Sequence, residues 1–310
     1  MSDRFGIHTI DTGFHRPAFD AAYLIVENGR GAFLDCGTSH SVPVLLAAVE
    51  EAGLRPADID WLILTHVHLD HAGGAGALLR HLANARVVVH PRGAPHMIDP
   101  ARLIAGATAV YGEEEMARSY GTIVPIPESR VDIARDGHRV DLAGRTLACL
   151  DTPGHALHHL CLWDATSRSV FTGDTFGISY RELDTDRGIF LFPTTTPVQF
   201  DPEALKTSIA RLVALEPERA FLTHFGAIDH IPQNARSLIE QVDAMSRGAL
   251  ALIDAPDRHA ALVAMLDALY VPRAVAHSGL AESAVRDLLG MDIELNAQGL
   301  GVWLDRRRRV

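Results

Sequence analysis

An apolar run, Trp61-Leu-Ile-Leu64, empties directly into Thr65-His-Val-His-Leu-Asp-His71, and this junction constrains the fold more than any other stretch. Four metal-capable side chains, His66, His68, Asp70 and His71, fall within six residues. In extended backbone, residues two apart share a face. His66, His68 and Asp70 can therefore converge on one point while His71 turns to a neighbouring one, a spacing that suits two ions better than one. One histidine at a strand end is commonplace; a cluster this dense points to a site.

The other strand ends of the chain repeat the theme. Ala21 to Val26 and Gly31 to Asp35 read as a hairpin around Glu27-Asn-Gly-Arg30. Asp35 then stands before Cys36-Gly37, where it either orients a metal-bound histidine from behind or caps the turn; the sequence leaves both open. Pro43 to Ala52 presents Leu45, Leu46 and Val49 on one helical face, and the strand Asp60 to Leu64 completes a β-α-β arrangement. Ala75, Leu78, Leu79 and Leu82 recur at helical spacing, and Arg86 to His90 is again a strand, with His90 read as structural. Residues 91–128 carry five prolines among short helical pieces and are expected to form one wall of a substrate cleft.

Farther on, Arg139 to Leu142 and Arg145 to Leu150 flank Ala143-Gly144 as a hairpin that delivers Asp151-Thr-Pro-Gly-His155. Strands His159 to Trp163 and Ser169 to Thr172 end in Gly173-Asp174. A helix from Asp201 to Leu215, with Asp201 as cap and Pro202 at its first position, leads to Arg219 to Leu222 and then Thr223-His224. That makes four strand ends bearing ligand-type residues. His158 and His159 can support the site from behind. His8, His15, His40, His81, His96, His138, His230, His259 and His277 stand apart from it.

Composition narrows the class. With 310 residues, 47% of them apolar, the chain can bury one large domain or a domain plus an appendage. No apolar run reaches the roughly 18 residues that cross a bilayer, and Met1-Ser-Asp-Arg-Phe5 lacks a secretory layout. A cytoplasmic location is expected. Cys36, Cys149 and Cys161 form no C-x-x-C pair and read as buried small hydrophobes. A net charge of −11 argues against nucleic acid as a partner, and Arg306-Arg-Arg-Arg309 reads as a solvated tail. Neither a nucleic acid nor a membrane is expected as partner; a small-molecule substrate is.

Thr65-His-Val-His-Leu-Asp-His71, Gly154-His155, Thr172-Gly-Asp174 and Thr223-His224 together resemble the metallo-β-lactamase-fold hydrolase superfamily over roughly residues 20–230. The resemblance implies an α/β (α+β) fold: a four-layer αββα sandwich of two mixed β-sheets with outer helices, plus a mainly helical C-terminal extension. On this reading residues 1–231 form the catalytic domain and 232–310 the extension. The resemblance also implies a dinuclear centre. One divalent ion is held by His66, His68 and His155, the other by Asp70, His71 and His224, with Asp174 bridging. Zinc is favoured, while iron or manganese also suit imidazole and oxygen ligands. The implied activity is attack by a metal-bridging hydroxide on the carbonyl of a thioester, ester or lactone, with Asp70 moving the proton.

Within the superfamily, T-H-x-H-x-D-H and T-G-D are most similar to hydroxyacylglutathione hydrolases (glyoxalase II), although the glutathione-binding residues of that group find no match here. Acyl-homoserine lactonases place a tyrosine three residues beyond the bridging aspartate. This chain has Gly177 there and Tyr180 nearby. Lactonase, phosphodiesterase and iron-dependent oxygenase activities stay open as alternatives. In the extension, Leu238, Val242, Met245 and Ala249 form one helical stripe and Leu262, Met265, Leu266 and Leu269 another; Ala281 to Leu289 is a third, short helix and Met291 to Asn296 a strand. The extension either closes over the cleft, binds part of the substrate or joins two subunits as a homodimer.

Overall fold

The computed structural model describes residues 5–195 and 198–308. Met1 to Arg4, on which the reading of the N-terminus leans, and Arg309 of the basic run lie outside them. The chain divides into two compact units: residues 1–151, 158–173 and 219–227 form the first, and 152–157, 174–218 and 228–310 the second.

The first unit opens with an antiparallel meander, β1 (Ile7–Asp11), β2 (Ala21–Glu27) and β3 (Arg30–Leu34). Asn28 and Gly29 both adopt positive φ, 47° and 75°, the geometry of a tight two-residue hairpin turn. Helix α1 (Val42–Glu51) then crosses to β4 (Ile59–Ile63), parallel to β3. Short helices α2 (Leu69–Ala72) and α3 (Ala75–Leu79) precede β5 (Arg86–Val89). The proline-bearing segment folds as α4 (Ala94–Ile98), α5 (Ala101–Tyr111) and the single turn α6 (Glu113–Glu115), ahead of β6 (Val131–Ile133). Six strands thus make one mixed sheet in the order β1-β2-β3-β4-β5-β6.

The second sheet contains β7 (Arg139–Leu142), β8 (Arg145–Asp151), β9 (Leu160–Asp164), β10 (Ser169–Phe171), β11 (Arg219–Leu222) and β12 (Gly226–Ile228), in the order β12-β11-β10-β9-β8-β7. It is antiparallel from β7 to β10 and parallel between β10 and β11. Tyr23, Ile25, Leu34 and Ile63 of the first sheet pack with Leu147, Leu162, Phe171 and Phe221 of the second in one buried cluster. The alternate residues Ala22, Leu24, Phe33 and Leu62 pack on Leu45 and Val49 of α1 and Leu78 of α3. The first sheet is covered on both faces, which is why its strands read as near-continuous apolar runs.

The second unit carries α7 (Pro202–Val213), α8 (Ile231–Ala251), α9 (Arg258–Ser278) and α10 (Glu282–Arg308). Asp201 caps α7 as expected, accepting from the backbone N–H groups of Glu203 and Ala204. Two expectations fail here. Met291 to Asn296 is no strand but the middle of the 27-residue α10. Met291, Ile293 and Leu295 alternate in sequence, yet Met291 is exposed while polar Asp292 and Asn296 face inward at helical spacing with Leu289, Ile293 and Leu300. The arginine run, solvated as expected, is no tail over its described members: Arg306 to Arg308 are exposed on the last turn of α10, where Arg306 donates to the Phe200 carbonyl, Arg307 stacks over Trp303 and Arg308 pairs with Asp254. Among the described residues, α9 alone has the length and apolar content of a bilayer span. Its Leu262, Leu266, Tyr270 and Ala274 are nonetheless buried.

Candidate metal centre

In the first unit the site is built around Asp35. Its carboxylate accepts from the Thr65 N–H at 2.8 Å, the Thr65 hydroxyl at 2.7 Å and the Thr223 hydroxyl at 3.2 Å, so one buried side chain ties the ends of β3, β4 and β11. The same carboxylate lies 2.9 Å from His71 Nδ1. Of the two roles left open by the sequence, these contacts match the orienting one: Asp35 fixes the ring of His71 from behind. Its backbone sits at φ 53°, left-handed for a non-glycine residue, which costs about 1–3 kcal/mol and which these four contacts offset.

An acceptor at Nδ1 keeps the ring proton there and turns the Nε2 lone pair outward. His71 Nε2 faces Asp70 Oδ2 at 3.7 Å. His224 follows the same logic: Nδ1 donates to the Phe19 carbonyl at 2.9 Å, and Nε2 lies 3.4 Å from Asp70 Oδ2. The donor atoms of Asp70, His71 and His224 all fall within 4.8 Å of one another. His66 is set by Thr65, whose hydroxyl spends its proton on Asp35 and stands 3.2 Å from His66 Nδ1. That leaves His66 Nε2 facing His68 Nδ1 at 2.7 Å.

Behind these rings stand the two histidines assigned a supporting role. His159 is fully buried and stacks on His66 at 4.9 Å, and His158 packs edge-on against His68 at 5.4 Å. Gly173 makes this packing possible: at φ 47°, a Cβ there would come within 2.6 Å of His159 Nε2. His90, read as structural, has partners of its own. Its Nε2 lies 3.4 Å from Asp151 Oδ1, and its Nδ1 accepts from the Arg92 N–H.

An aromatic set beside Asp70 has no sequence signature, since its members come from two segments about a hundred residues apart. Phe14, His15 and Phe19 join Tyr111 and Tyr120, with Phe14 5.4 Å from Tyr120 and Phe19 5.4 Å from the His224 ring. Burial, then the charge of Asp70, pushes the Tyr111 hydroxyl up to about 12. Asp20, wholly buried, is pushed up to about 7 by desolvation, against the pull of His224 and His71.

In the second unit, His155 and Asp174 face each other, Nε2 to Oδ2, at 3.2 Å. His155 Nδ1 lies 3.5 Å from the Thr194 carbonyl. Gly154 precedes it at φ 133°, where a Cβ would strike the backbone of Leu205. The chain itself fixes where these donors start: His155 comes four residues after β8 ends, and Asp174 three after β10.

Imidazoles whose second nitrogen is already tied to an acceptor, interleaved with carboxylates, form a donor set suited to zinc, iron or manganese. Two mixed sheets that carry such donors at their strand ends define a metal-dependent hydrolase. The metallo-beta-lactamase superfamily pattern matches residues 16–224, and the chain belongs to that family. It is 26% identical over 72% of its length to a metallo-beta-lactamase fold-containing protein of Sulfurisphaera tokodaii, of which it covers 79%. It is also 29% identical to a hydroxyacylglutathione hydrolase of Citrobacter koseri over 51% of this chain, and 29% identical to the acyl-coenzyme A thioesterase MBLAC2 of Gallus gallus over 54%. The matched part spans 49% of the former and 62% of the latter. In structure, an archaeal metallo-beta-lactamase superfamily protein from Sulfolobus tokodaii superposes with a TM-score of 0.68 at 22% identity, over 96% of this chain and 99% of its own.

Proposed function

We propose that the chain hydrolyses a small-molecule thioester at a centre of two divalent ions, zinc in the first instance. On this reading, which follows the family resemblance, His66, His68 and His155 would hold one ion, Asp70, His71 and His224 the other, and Asp174 would bridge them. One observation carries this reading: the second nitrogens of His66, His71, His155 and His224 lie beside a hydroxyl, carboxylate or carbonyl oxygen, so that four Nε2 lone pairs are presented as donors.

When bound, the ions supply an activated water at neutral pH and polarise the scissile carbonyl. The protein does the rest. Asp70 is the most open of these carboxylates, its side chain 24% exposed against 2% for Asp35, so its Oδ atoms are placed to take a proton and return it to the leaving group. His159 stacked on His66 and His158 edge-on to His68 restrict the rotation of those rings, and the aromatic set of Phe14, Phe19 and Tyr120 limits water around Asp70. Two relatives named for thioester cleavage favour that bond. The lactonase alternative is weakened because the Tyr180 hydroxyl is spent on Asp292, at 2.9 and 3.0 Å from its two oxygens.

Metal analysis of the purified chain, followed by a panel of chromogenic thioesters, lactones and phosphodiesters, tests the proposal. Two bound ions per chain and preferential thioester turnover that chelation abolishes are expected. Turnover of none of these substrates by fully loaded protein, or preference for another bond, overturns it.

A further inference from the structure

Helix α10 buries two polar side chains one turn apart, Asp292 and Asn296. A buried amide is costly unless its polar atoms find partners, and those of Asn296 do. Its Oδ1 accepts from the Thr195 N–H at 2.7 Å, and its Nδ2 donates to the Pro193 carbonyl at 3.2 Å. The Asn296 backbone carbonyl also accepts from the Thr195 hydroxyl at 3.4 Å. Asp292 takes the Tyr180 hydroxyl, a bridge between Ile178 and Phe192 closes the segment, and Gln241 of α8 donates to the Leu191 carbonyl at 2.9 Å.

The residue between the two anchors of Asn296 is Thr194, and its carbonyl is the one 3.5 Å from His155 Nδ1. A contact that long is weak by itself. It directs the imidazole only if the carbonyl cannot turn away, and anchoring the residues on both sides prevents that.

We infer that Asn296 is a positioning residue for His155: by holding Pro193 and Thr195 it aims the Thr194 carbonyl at Nδ1 and so favours the Nδ1–H tautomer, which frees Nε2 as a donor, against the Asp174 carboxylate 3.2 Å from Nε2. The consequence for metal binding rests on the proposed role of His155 as a ligand. The choice of tautomer does not. The C-terminal helix thus shapes a donor more than a hundred residues away in sequence.

The test uses the full chain with ¹⁵N-labelled histidine. In metal-free Asp174→Ala protein, which removes the carboxylate facing Nε2, nitrogen shifts should report His155 as Nδ1–H. Adding Asn296→Ala should move them towards the Nε2–H form, which the free histidine side chain prefers, while His71 and His224 stay unchanged. Zn²⁺ titration of Asn296→Ala alone against a chromophoric chelator should then show one of the two ions bound about 10- to 100-fold more weakly and the other within about twofold of wild type. Asn296→Asp, which keeps the acceptor for Thr195 and loses the donor to Pro193, should fall between and serves if the alanine variant does not fold. A folded variant with an unswitched tautomer at His155, or one that loosens His71 and His224 equally, overturns the inference. Should wild type bind fewer than two zinc ions while Asn296→Ala still switches the tautomer, the dinuclear proposal fails and this one stands.

Discussion

The two sets of donors are supported in different ways. Asp70, His71 and His224 are braced from sheet ends: Asp35, Thr65 and Thr223 each follow a strand by one or two residues, and the Phe19 carbonyl lies just before β2. His155 is braced by a loop whose own position depends on a helix near the C-terminus. A sheet end is held by its ladder, whereas a loop is held only by what it is tied to. The first set should therefore resist perturbation through the core, and the second should be tunable from a distance.

The bluntest way to break the comparison is to remove the proposed ions or a proposed ligand from each set. Chelation, or Asp70→Ala and Asp174→Ala separately, should each lower thioester turnover by about a thousandfold or more, because the donors act as a unit. Steady-state assay with measured metal content checks this. If Asp174→Ala keeps two ions and wild-type turnover, the two sets are not parts of one centre.

A second way uses pH. Asp20 is pushed up to about 7 from the ordinary 3.8 by its burial beside the first set. The folded chain then holds a proton that the unfolded chain releases between those values. Stability of the metal-free protein should accordingly fall as pH rises from about 4 to about 7, by up to roughly 4 kcal/mol at 1.36 kcal/mol per unit. Asp20→Asn keeps an acceptor for the Thr12 hydroxyl and should flatten the slope and raise stability above pH 7. Urea unfolding across the range measures it; identical slopes in both proteins would exclude Asp20 as the source.

Asp35→Ala sharpens the contrast with Asn296. It removes the orienting partner of His71 and strands the hydroxyls of Thr65 and Thr223, so it should cost about 1–3 kcal/mol of metal-free stability as well as metal affinity. Asn296→Ala should cost affinity at the other ion. Calorimetric zinc titration beside urea unfolding separates the two patterns, and loss of the same ion in both variants would erase the distinction.

What the sequence disclosed follows the same divide. The strand ends proposed to carry donors were legible, because an apolar strand runs within a few residues into histidine or aspartate at Leu64 to His71, Leu150 to His155, Thr172 to Asp174 and Leu222 to His224, with a glycine directly before the donor in the second and third. The hairpin turns at Asn28-Gly29 and Ala143-Gly144 and the cap of α7 were legible for the same local reason. For Asp35 the sequence offered two roles without choosing between them, since only the tertiary fold brings Thr65, His71 and Thr223 to its carboxylate. Helix α10 was not legible: its polar inward residues follow the demands of the Tyr180 to Thr195 segment, and the period-two pattern of Met291, Ile293 and Leu295 concealed its helical face. The aromatic set beside Asp70 left no local trace at all.

The smallest expected effect bears on whether the second unit contributes chemistry or only support. Tyr180 is fully buried and gives its hydroxyl to Asp292. Tyr180→Phe removes one hydrogen bond to a buried carboxylate while leaving the ring packing against Phe192, and should cost about 1–2 kcal/mol of stability. If the residue only fastens the segment to α10, kcat on thioesters stays within about twofold, since no transition-state contact is lost. If instead it served the reaction as the tyrosine of a lactonase does, kcat would fall by an order of magnitude or more with little change in stability. Paired unfolding and kinetic measurements on this variant therefore decide between fastening and catalysis. The burial of the hydroxyl against Asp292 favours fastening, the same office that Asn296 holds one turn farther along the helix.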